Sequence, residues 1–413
     1  MKKFVFFLIF LYGYLYAIKW EVGFNFEYGV FSIYEVSYNL FRFSPKFELE
    51  SFKLCYGIDF IYDTNGNFLN TRWNNWQMIL SRLEYAEFNN PFFSLDIRSV
   101  ENFTLGDGLI VKNLSTRKFF PFFYYPMGTT GLNFDFLSFN LFTDNIIDFD
   151  IMGANIVFKP LYFFTQSIWK DISIGISTVA DFDPYNVISY DTNTKEYTFE
   201  DNYSNLTVLL YRINGSIPLM KNKFFTISFN SSYAGIYEKG SGVLIGINGV
   251  IFGVMKYGYD YGFFGKKFLS HYIDLFYEKE RNHKFQKLDE INEDYNYYRI
   301  LTGLTLFENM MDVDFEYCRE LRNNVFPEVY FSISLDKRYF KVLDLSVGYY
   351  RPDFEKVEDF FVAFYNTSYL FIDLNFFMSE TINFGFEYRY YFYNKENNES
   401  PYNSIYLFLT SYF

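Results

Sequence analysis

The chain has 413 residues, half of them apolar and 25% aromatic, with 57 Phe, 41 Tyr and 4 Trp. Its formal net charge is −13, yet its mean hydropathy is only −0.07. The charge excludes nucleic-acid binding driven by phosphate contacts, and the hydropathy excludes a bundle of membrane helices, which needs apolar runs of about 20 residues.

The first segment reads Met1-Lys2-Lys3, then an almost wholly apolar run from Phe4 to Leu11, then a mixed stretch to Ala17. A basic start, a short apolar middle and a small residue at the cut describe a secretory signal over 1–17, although Leu15 stands where a smaller residue is usual. The apolar middle is too short to be a helical anchor. The cut leaves residues 18–413 as one expected domain. Loss of Lys2 and Lys3 takes 36 basic residues to 34 against 49 acidic ones, or −15.

From Trp20 the chain falls into a two-residue rhythm. Trp20, Val22, Phe24, Phe26, Tyr28 and Val30 alternate with Glu21, Gly23, Asn25, Glu27 and Gly29. Successive side chains on a strand point to opposite faces, so this is a strand with one apolar and one wet face. The pattern returns at Phe52 to Phe60, where Lys53, Cys55, Gly57 and Asp59 form the wet face. It is weaker over 131–142, 204–217, 223–237 and 267–280. It is clearest at Met311 to Cys318, Val329 to Asp336, Leu343 to Tyr349 and Ile382 to Phe392. A soluble all-β protein would have to bury these aromatics in a finite core, and there are too many of them. An antiparallel transmembrane β-barrel, wet inside and apolar outside, accommodates them.

Connections are of two kinds. Phe43 to Lys46, Phe263 to Lys267 and Met378 to Thr381 read as short turns. Asp63 to Asn75, Tyr190 to Ser204, Glu280 to Tyr295 and Tyr393 to Pro401 read as long polar loops. Bacterial barrels keep short turns on the periplasmic side and long loops outside, so an even number of strands must separate any two long loops. This parity makes 243–262 and 360–377 one strand each. It gives about 14 strands from 131 onward and about four before 89, a barrel of 16–18 strands with about 18 as the best count.

The stretch 89–130 breaks the rhythm. It holds FTLGDGLIVKNL (103–114) and FFPFFYYPM (119–127), with Pro121 and Pro126 opposing strand in its second half. Part of it is expected to fold inward and narrow the lumen; the alternative is an ordinary hairpin with an awkward loop, which adds two strands.

The last strand, 403–413, ends on Phe413 with Leu409, Leu407 and Ile405 at alternate positions before it. It resembles the terminal strand of bacterial outer-membrane β-barrel proteins of porin-like kind, and departs from that pattern at Ser411. The resemblance covers only this strand and names no subfamily. It implies residence in the bacterial outer membrane, lipid as the surrounding partner, and recognition of 403–413 by the barrel-assembly machinery. The oligomeric state stays open.

Catalytic chemistry finds little support. Ser270 and His271, adjacent on a strand, would face opposite ways and could not form a nucleophilic pair. His283 lies in a charged loop with Arg281 and Lys284. Cys55 and Cys318 match no metal or redox spacing and read as free thiols, with a disulfide as the alternative. Gly240, Gly242 and Gly246 miss the dinucleotide fingerprint. Asp63, Asn65 and Gly66 form a turn, without the acidic series of a calcium loop. No enzyme, cofactor or metal is expected.

The wet face itself carries the functional signal. Asp312, Asp314, Glu316 and Glu320 form a column, joined by Glu21, Glu27, Asp59, Asp336, Asp344 and Glu387, with Lys53 and Arg389 as the visible counter-charges. Acidic rings favour cations in a pore. The leading expectation is a passive channel for small polar solutes or cations. The alternatives are a surface adhesin with the barrel as scaffold, and a conduit for hydrophobic molecules.

Overall fold

The computed structural model describes residues 20–33, 36–68, 79–117, 125–185, 187–191, 196–200, 206–307, 310–322, 325–336, 338, 341–352, 354, 368–379, 382–392 and 402–412. The expected signal 1–17, residues 355–367 and the loop 393–401 lie outside these residues.

In chain order the strands are β1 (Trp20–Ile33), β2 (Val36–Leu49), β3 (Phe52–Tyr56 with Ile58–Asp63), β4 (Leu83–Asn89) and β5 (Phe93–Arg98). There follow β6 (Met127–Phe134), β7 (Leu137–Thr143), β8 (Ile151–Phe158), β9 (Ser173–Asp181) and β10 (Val208–Lys221). Next come β11 (Phe225–Ile236), β12 (Ser241–Ile251), β13 (Met255–Phe264), β14 (Tyr295–Leu306) and β15 (Met311–Glu320). The last are β16 (Glu328–Leu335), β17 (Leu343–Arg351), β18 (Ser368–Phe377), β19 (Ile382–Phe392) and β20 (Tyr402–Tyr412). The two stretches of β3 both pair with β2 and are parted at Gly57, so they count as one strand.

Every neighbour pair is antiparallel, and β1 pairs with β20 from Gly23↔Tyr412 to Ser32↔Asn403. That pairing closes the sheet into a barrel of 20 strands. A closed sheet is the only strand arrangement that leaves no backbone edge unpaired in lipid. The apolar half of the rhythm faces out: Val22, Phe26, Tyr28 and Val30 on β1, Ile213 and Ile217 on β10, and Ile405, Leu407 and Leu409 on β20 are all exposed large apolar side chains. The polar half faces in, where Asn25, Arg42, Asp59, Ser177, Arg212, Asp260 and Arg299 are buried.

Several inward glycines lie directly opposite an inward aromatic: Gly29↔Tyr406, Gly348↔Phe371 and Gly385↔Phe408. The ring lies over the glycine so closely that a Cβ there would clash with it. These glycines therefore seat rings flat against the wall and do not leave the lumen open.

The barrel class stands, and the count rises from the expected 18 to 20. The segment 131–142 is two strands, β6 and β7, turning at Asp135 and Phe136. The segment 243–262 is a hairpin, β12 and β13, whose turn uses Phe252 and Gly253 at φ 55° and 68°. Both turns carry aromatics, so the polar signal that normally marks a turn is missing. The segment 267–280 is no barrel strand, and the expected loop after it is a helix, α1 (Tyr277–Glu290). Phe43 to Lys46 lies inside β2, and Phe263 to Lys267 opens a long connection. The described part of 89–130 proves to be both alternatives at once: β5 and the start of β6 are two extra strands, and 99–117 between them folds inward, while 119–124 of FFPFFYYPM lies outside the described residues. Of the acidic loop 190–204, Val187–Asp191 and Glu196–Glu200 form a hairpin of their own. Of 360–377, the described part is one strand, β18.

The parity rule survives these changes with one exception, the 159–172 connection after β8, which is long but lies at the short-turn end. The connections after β3, β5, β9, β13, β17 and β19 are long and all lie at one end. Those after β2, β4, β6, β10, β12, β14 and β18 are short and lie at the other.

The facing of β12 can be tested directly. Ile247 is exposed on the outer wall, while its neighbour Asn248 lines a lumen cavity. Ile247→Lys should lower unfolding stability in lipid vesicles by about 2–4 kcal/mol, and Asn248→Lys by less than about 1 kcal/mol. Urea unfolding of the two variants checks this, and equal losses would refute the facing.

Candidate functional site

A barrel this wide would have an empty middle if nothing entered it. Among the described residues two segments do, both from the long-loop end. The first leaves β5 and makes a hairpin. Phe103 and Leu114 exchange backbone hydrogen bonds of 2.8 and 2.9 Å, and the Leu105 N–H donates to the Val111 carbonyl at 3.0 Å. The tip turns on Gly106 and Gly108, both left-handed at φ 64° and 82°. Gly106 also lies against the Arg212 guanidinium, where any Cβ would clash. A side chain there would push the tip off the wall.

The tip crosses to the far wall. The Asp107 carboxylate meets Arg212 Nε at 3.1 Å and accepts from Ser232 Oγ, while Arg299 donates to the Asp107 carbonyl at 2.5 Å. Behind the tip, Lys112 Nζ lies 2.9 Å from Glu316 and 3.2 Å from Cys318 Sγ. Burial alone would push the Lys112 ammonium down, but Cys318, Glu316 and Glu328 outweigh it and hold it above its ordinary value. At the root, Arg389 Nε donates to Glu101 at 3.0 Å, and Arg117 lies 3.4 Å from Glu387. Burial would raise the Glu101 carboxyl, yet Arg389 and Arg117 pull it below the usual range.

The second segment follows β13. It runs beside the hairpin as a short parallel pairing: His271 N–H to Leu109 carbonyl at 3.0 Å, Ile273 N–H to Ile110 carbonyl at 3.1 Å, and Lys112 N–H to Ile273 carbonyl at 2.9 Å. Leu105, Leu109, Ile110, Val111 and Leu114 pack there with Phe268, Tyr272 and Ile273 and with wall residues such as Val179, Leu210 and Phe264. Helix α1 then crosses to the β7–β9 side. Its Arg281 pairs with Asp150 at 3.0 Å and Asp144 at 3.8 Å, Tyr277 donates to Asp181, and Lys284 pairs with Asp274. Arg281 and Lys284 are buried, where a solvated loop was expected.

The inward segments occupy part of the lumen; a 480 Å³ cavity remains against the hairpin tip, lined by Gly106, Asp107, Arg212 and Arg299. Beside the hairpin root lie three more cavities. One of 170 Å³ is lined by Glu101, Asn102, Arg117, Tyr330, Asp373 and Arg389. It shares Asn102 and Tyr330 with a cavity of 590 Å³ toward the short-turn end, and Asp373 with one of 340 Å³ whose walls include Asp312, Asp336 and Asp344. Toward the long-loop end the narrow cavity meets a collar of Leu275, Phe276, Tyr350, Tyr369 and Tyr406. Beyond it lies a separate 220 Å³ pocket with Ser270, His271, Asp274, Lys284 and Glu320.

The acidic residues singled out in the sequence are held by partners. Glu27 lies 3.8 Å from Arg42 and accepts from Asn25 at 2.8 Å. Asp59 is gripped by both Arg42 and Arg82. Asp312 and Asp314 lie 3.0 and 3.2 Å from Lys256. Glu316 sits between Lys112 and Arg299, the latter at 3.8 Å. Glu320 pairs with Arg322 and accepts from Ser270 Oγ at 2.7 Å. Asp336, just past β16, pairs with Arg338 at 2.9 Å. Asp344 faces Asn375 across β17–β18, and Glu21 faces Glu48 across β1–β2. Arg389 binds Asp373 at 2.5 and 3.1 Å and lies 3.4 Å from Glu387. Lys53 is a rim residue, 3.6 Å from Glu48. The column was legible; its counter-charges Arg42, Arg82, Lys112, Arg117, Arg212, Lys256 and Arg299 were not. Arg212 showed a trace, since it shares the wet face of 204–217 with Asn214 and Ser216.

Ser270 and His271 have different partners, Glu320 for the serine and the Tyr297 hydroxyl, at 3.4 Å, for the imidazole. They form no pair, although the reason is a folded-in segment with His271 at φ 53° and not strand alternation. Cys55 and Cys318 are free and buried. Asp63 accepts from the Asn65 and Asn67 N–H groups at 2.8 Å each, a turn motif. Among the described residues no group of His, Cys, Asp and Glu is placed to hold a metal ion.

His271 makes the inward segments sensitive to acid. Burial, then Lys112, Arg299 and Lys284, hold it well below its ordinary value, so it stays neutral in place. Displaced into water it would titrate near about 6.5. A group lowered in the packed state lends stability above its free value and loses it as pH falls below that. The contribution of His271 to the packing of the inward segments should therefore weaken below about pH 6.5. Conductance across a planar bilayer holding the protein should rise on acidification, and His271→Asn, which suits positive φ, should flatten the rise. A wild-type conductance that does not change between pH 7.5 and 5 would refute this.

No protein-family model matches the chain. No curated protein matches its sequence. Among solved structures it is similar to Pseudomonas aeruginosa OpdQ at 8% identity and TM-score 0.39, over 96% of this chain and 98% of that one. It is similar to Pseudomonas aeruginosa OccK5 (OpdH) at 10% identity and TM-score 0.39, over 96% and 98%. It is also similar to Pseudomonas aeruginosa OccK3 (OpdO) at 9% identity and TM-score 0.37, over 96% of each.

Proposed function

We propose that this protein is a bacterial outer-membrane channel that admits small polar solutes through a constriction beside its inward segments. One observation carries the reading: the 170 Å³ cavity adjoins the 590 and 340 Å³ cavities through shared lining residues, which supports a row of spaces between the short-turn mouth and the collar with ionisable side chains along it. The strand parity supports an orientation with short turns in the periplasm and long loops outside. The assembly machinery would read 403–413 during insertion.

At the narrowest part, Arg117 and Arg389 face Glu101, Asp373 and Glu387, so charge there is nearly balanced. A balanced wall suits small solutes that carry both hydrogen-bonding and charged groups. Selectivity would then come from the wider mouth, where Asp312, Asp336, Asp344 and Asp373 line one cavity against Lys256, Arg338 and Arg389. Such a mouth favours cations weakly. Glu21, Glu27, Asp59 and Glu387 act in this reading by holding wall arginines in place or by lining the rims.

Planar-bilayer recordings test both parts. Wild type should conduct weakly, and replacing Leu105 to Lys112 by two glycines should raise conductance several-fold. In a salt gradient the reversal potential should show a small cation preference, reduced by Asp312→Asn with Asp344→Asn. An anion-selective wild type would overturn the charge reading. Silence in both wild type and the shortened variant would overturn the channel.

A further inference from the structure

At the short-turn end most connections span a few residues, but that between β8 and β9 runs over 159–172 and has its own fold. Lys159 N–H donates to the Phe136 carbonyl at 2.9 Å, and the Phe164 N–H donates to the Leu161 carbonyl at 3.1 Å. A 3-10 turn over Ile168–Asp171 follows, capped by Ser167. Thr165 and Ser167 hydroxyls lie 2.8 Å apart. Tyr162 donates to Asp135 at 2.9 Å, and Lys221 reaches Asp171 at 2.7 Å. The segment is thus fastened to both adjacent strand ends, yet it holds large apolar side chains away from the protein. Phe163 is 68% exposed, Phe164 83% and Trp169 46%.

Ordered and exposed aromatics need a cover. Two features identify it. An aromatic run, Phe92–Phe134–Phe136–Phe163, with ring centroids 6.0, 6.1 and 4.9 Å apart, joins the segment to the apolar outer wall. The nearby charge is opposite in sign to the chain as a whole. Lys159, Lys170, Lys221 and Lys223 stand against Asp135 and Asp171, in a protein of net charge −13. Trp seeks the boundary between hydrocarbon and headgroups, Phe buries on its acyl side, and lysines beside them draw anionic headgroups.

We propose that 159–172 is a foot that binds anionic glycerophospholipid headgroups of the leaflet on the short-turn side. Phe163, Phe164 and Trp169 would enter the headgroup boundary, and Lys159, Lys170 and Lys223 would meet the phosphates. Lys221 would mainly fasten the foot through Asp171. The proposal rests on the membrane placement proposed above and not on channel activity.

The four tryptophans allow a direct test. Trp20→Phe, Trp73→Phe and Trp76→Phe leave Trp169 as sole emitter in the full-length protein, reconstituted in phosphatidylcholine bilayers. Equal small fractions of brominated phosphatidylglycerol or brominated phosphatidylcholine are then added. Quenching of Trp169 by the first should exceed that by the second about twofold. Lys159→Gln, Lys170→Gln and Lys223→Gln together should make the two equal while quenching persists. Equal quenching in the unaltered foot would overturn the anionic preference. No quenching by either lipid would overturn the foot, showing a segment in water or covered by protein. A control with Trp169→Phe and Ile247→Trp separates the failures. If its outer-wall emitter is also unquenched, the membrane placement itself is wrong.

Discussion

Closure of the sheet is the constraint on which the rest depends. Lipid offers no hydrogen bonds, so each strand must have two neighbours, and β1 must meet β20. With strands about 4.8 Å apart and tilted by about 40°, twenty of them enclose a ring roughly 40 Å across. That is far more than wall side chains can fill. The inward hairpin and the segment after β13 follow from that width. Arg212 and Arg299 on the far wall are long enough to meet the hairpin tip, and the glycine at 106 lets the tip come close.

The same width explains why buried charge is tolerated. A lone carboxylate such as Asp59 would be costly at full burial, but Arg42 and Arg82 both bind it. The chain spreads such clusters around the wall, and each sits where a strand meets an inward segment or a bulge. At Gly57 the bulge brings Arg82 and Glu84 beside Arg42; the Gly57 N–H donates to the Arg82 carbonyl at 2.8 Å. Removing one member of such a cluster leaves the others buried without compensation, which fixes the inward segments more firmly than apolar contact alone.

Much of this was legible in the sequence, because lipid and water impose a period of two on every spanning strand. Ile382 to Phe392 and Met311 to Glu320 are strands for that reason. The errors have physical causes. The turn at Phe252 and Gly253 carries an exposed aromatic, so β12 and β13 read as one run. Leu269, His271, Ile273 and Leu275 alternate because part of that segment is extended, paired with Leu109 to Lys112 inside the lumen and not with the wall. The inward fold of 99–117 showed only as a failure of rhythm. Its ion pairs join residues more than 100 apart, from Asp107–Arg212 to Glu101–Arg389, and no local pattern encodes them.

Those pairs change the meaning of the acidic column. Read along β15 alone, Asp312, Asp314, Glu316 and Glu320 look like an uncompensated cation path. In the barrel, cross-strand register sets Lys256 opposite Gly303, which in turn faces Asp314. The small residue between them lets the ammonium reach across two strands to both aspartates. Farther up, Lys112 and Arg299 occupy Glu316. Negative charge is therefore progressively neutralised from the short-turn mouth toward the inward segments. In the channel reading proposed above, an ion entering from that mouth would meet the more acidic wall first and the nearly balanced constriction second, so different residues would govern attraction and passage.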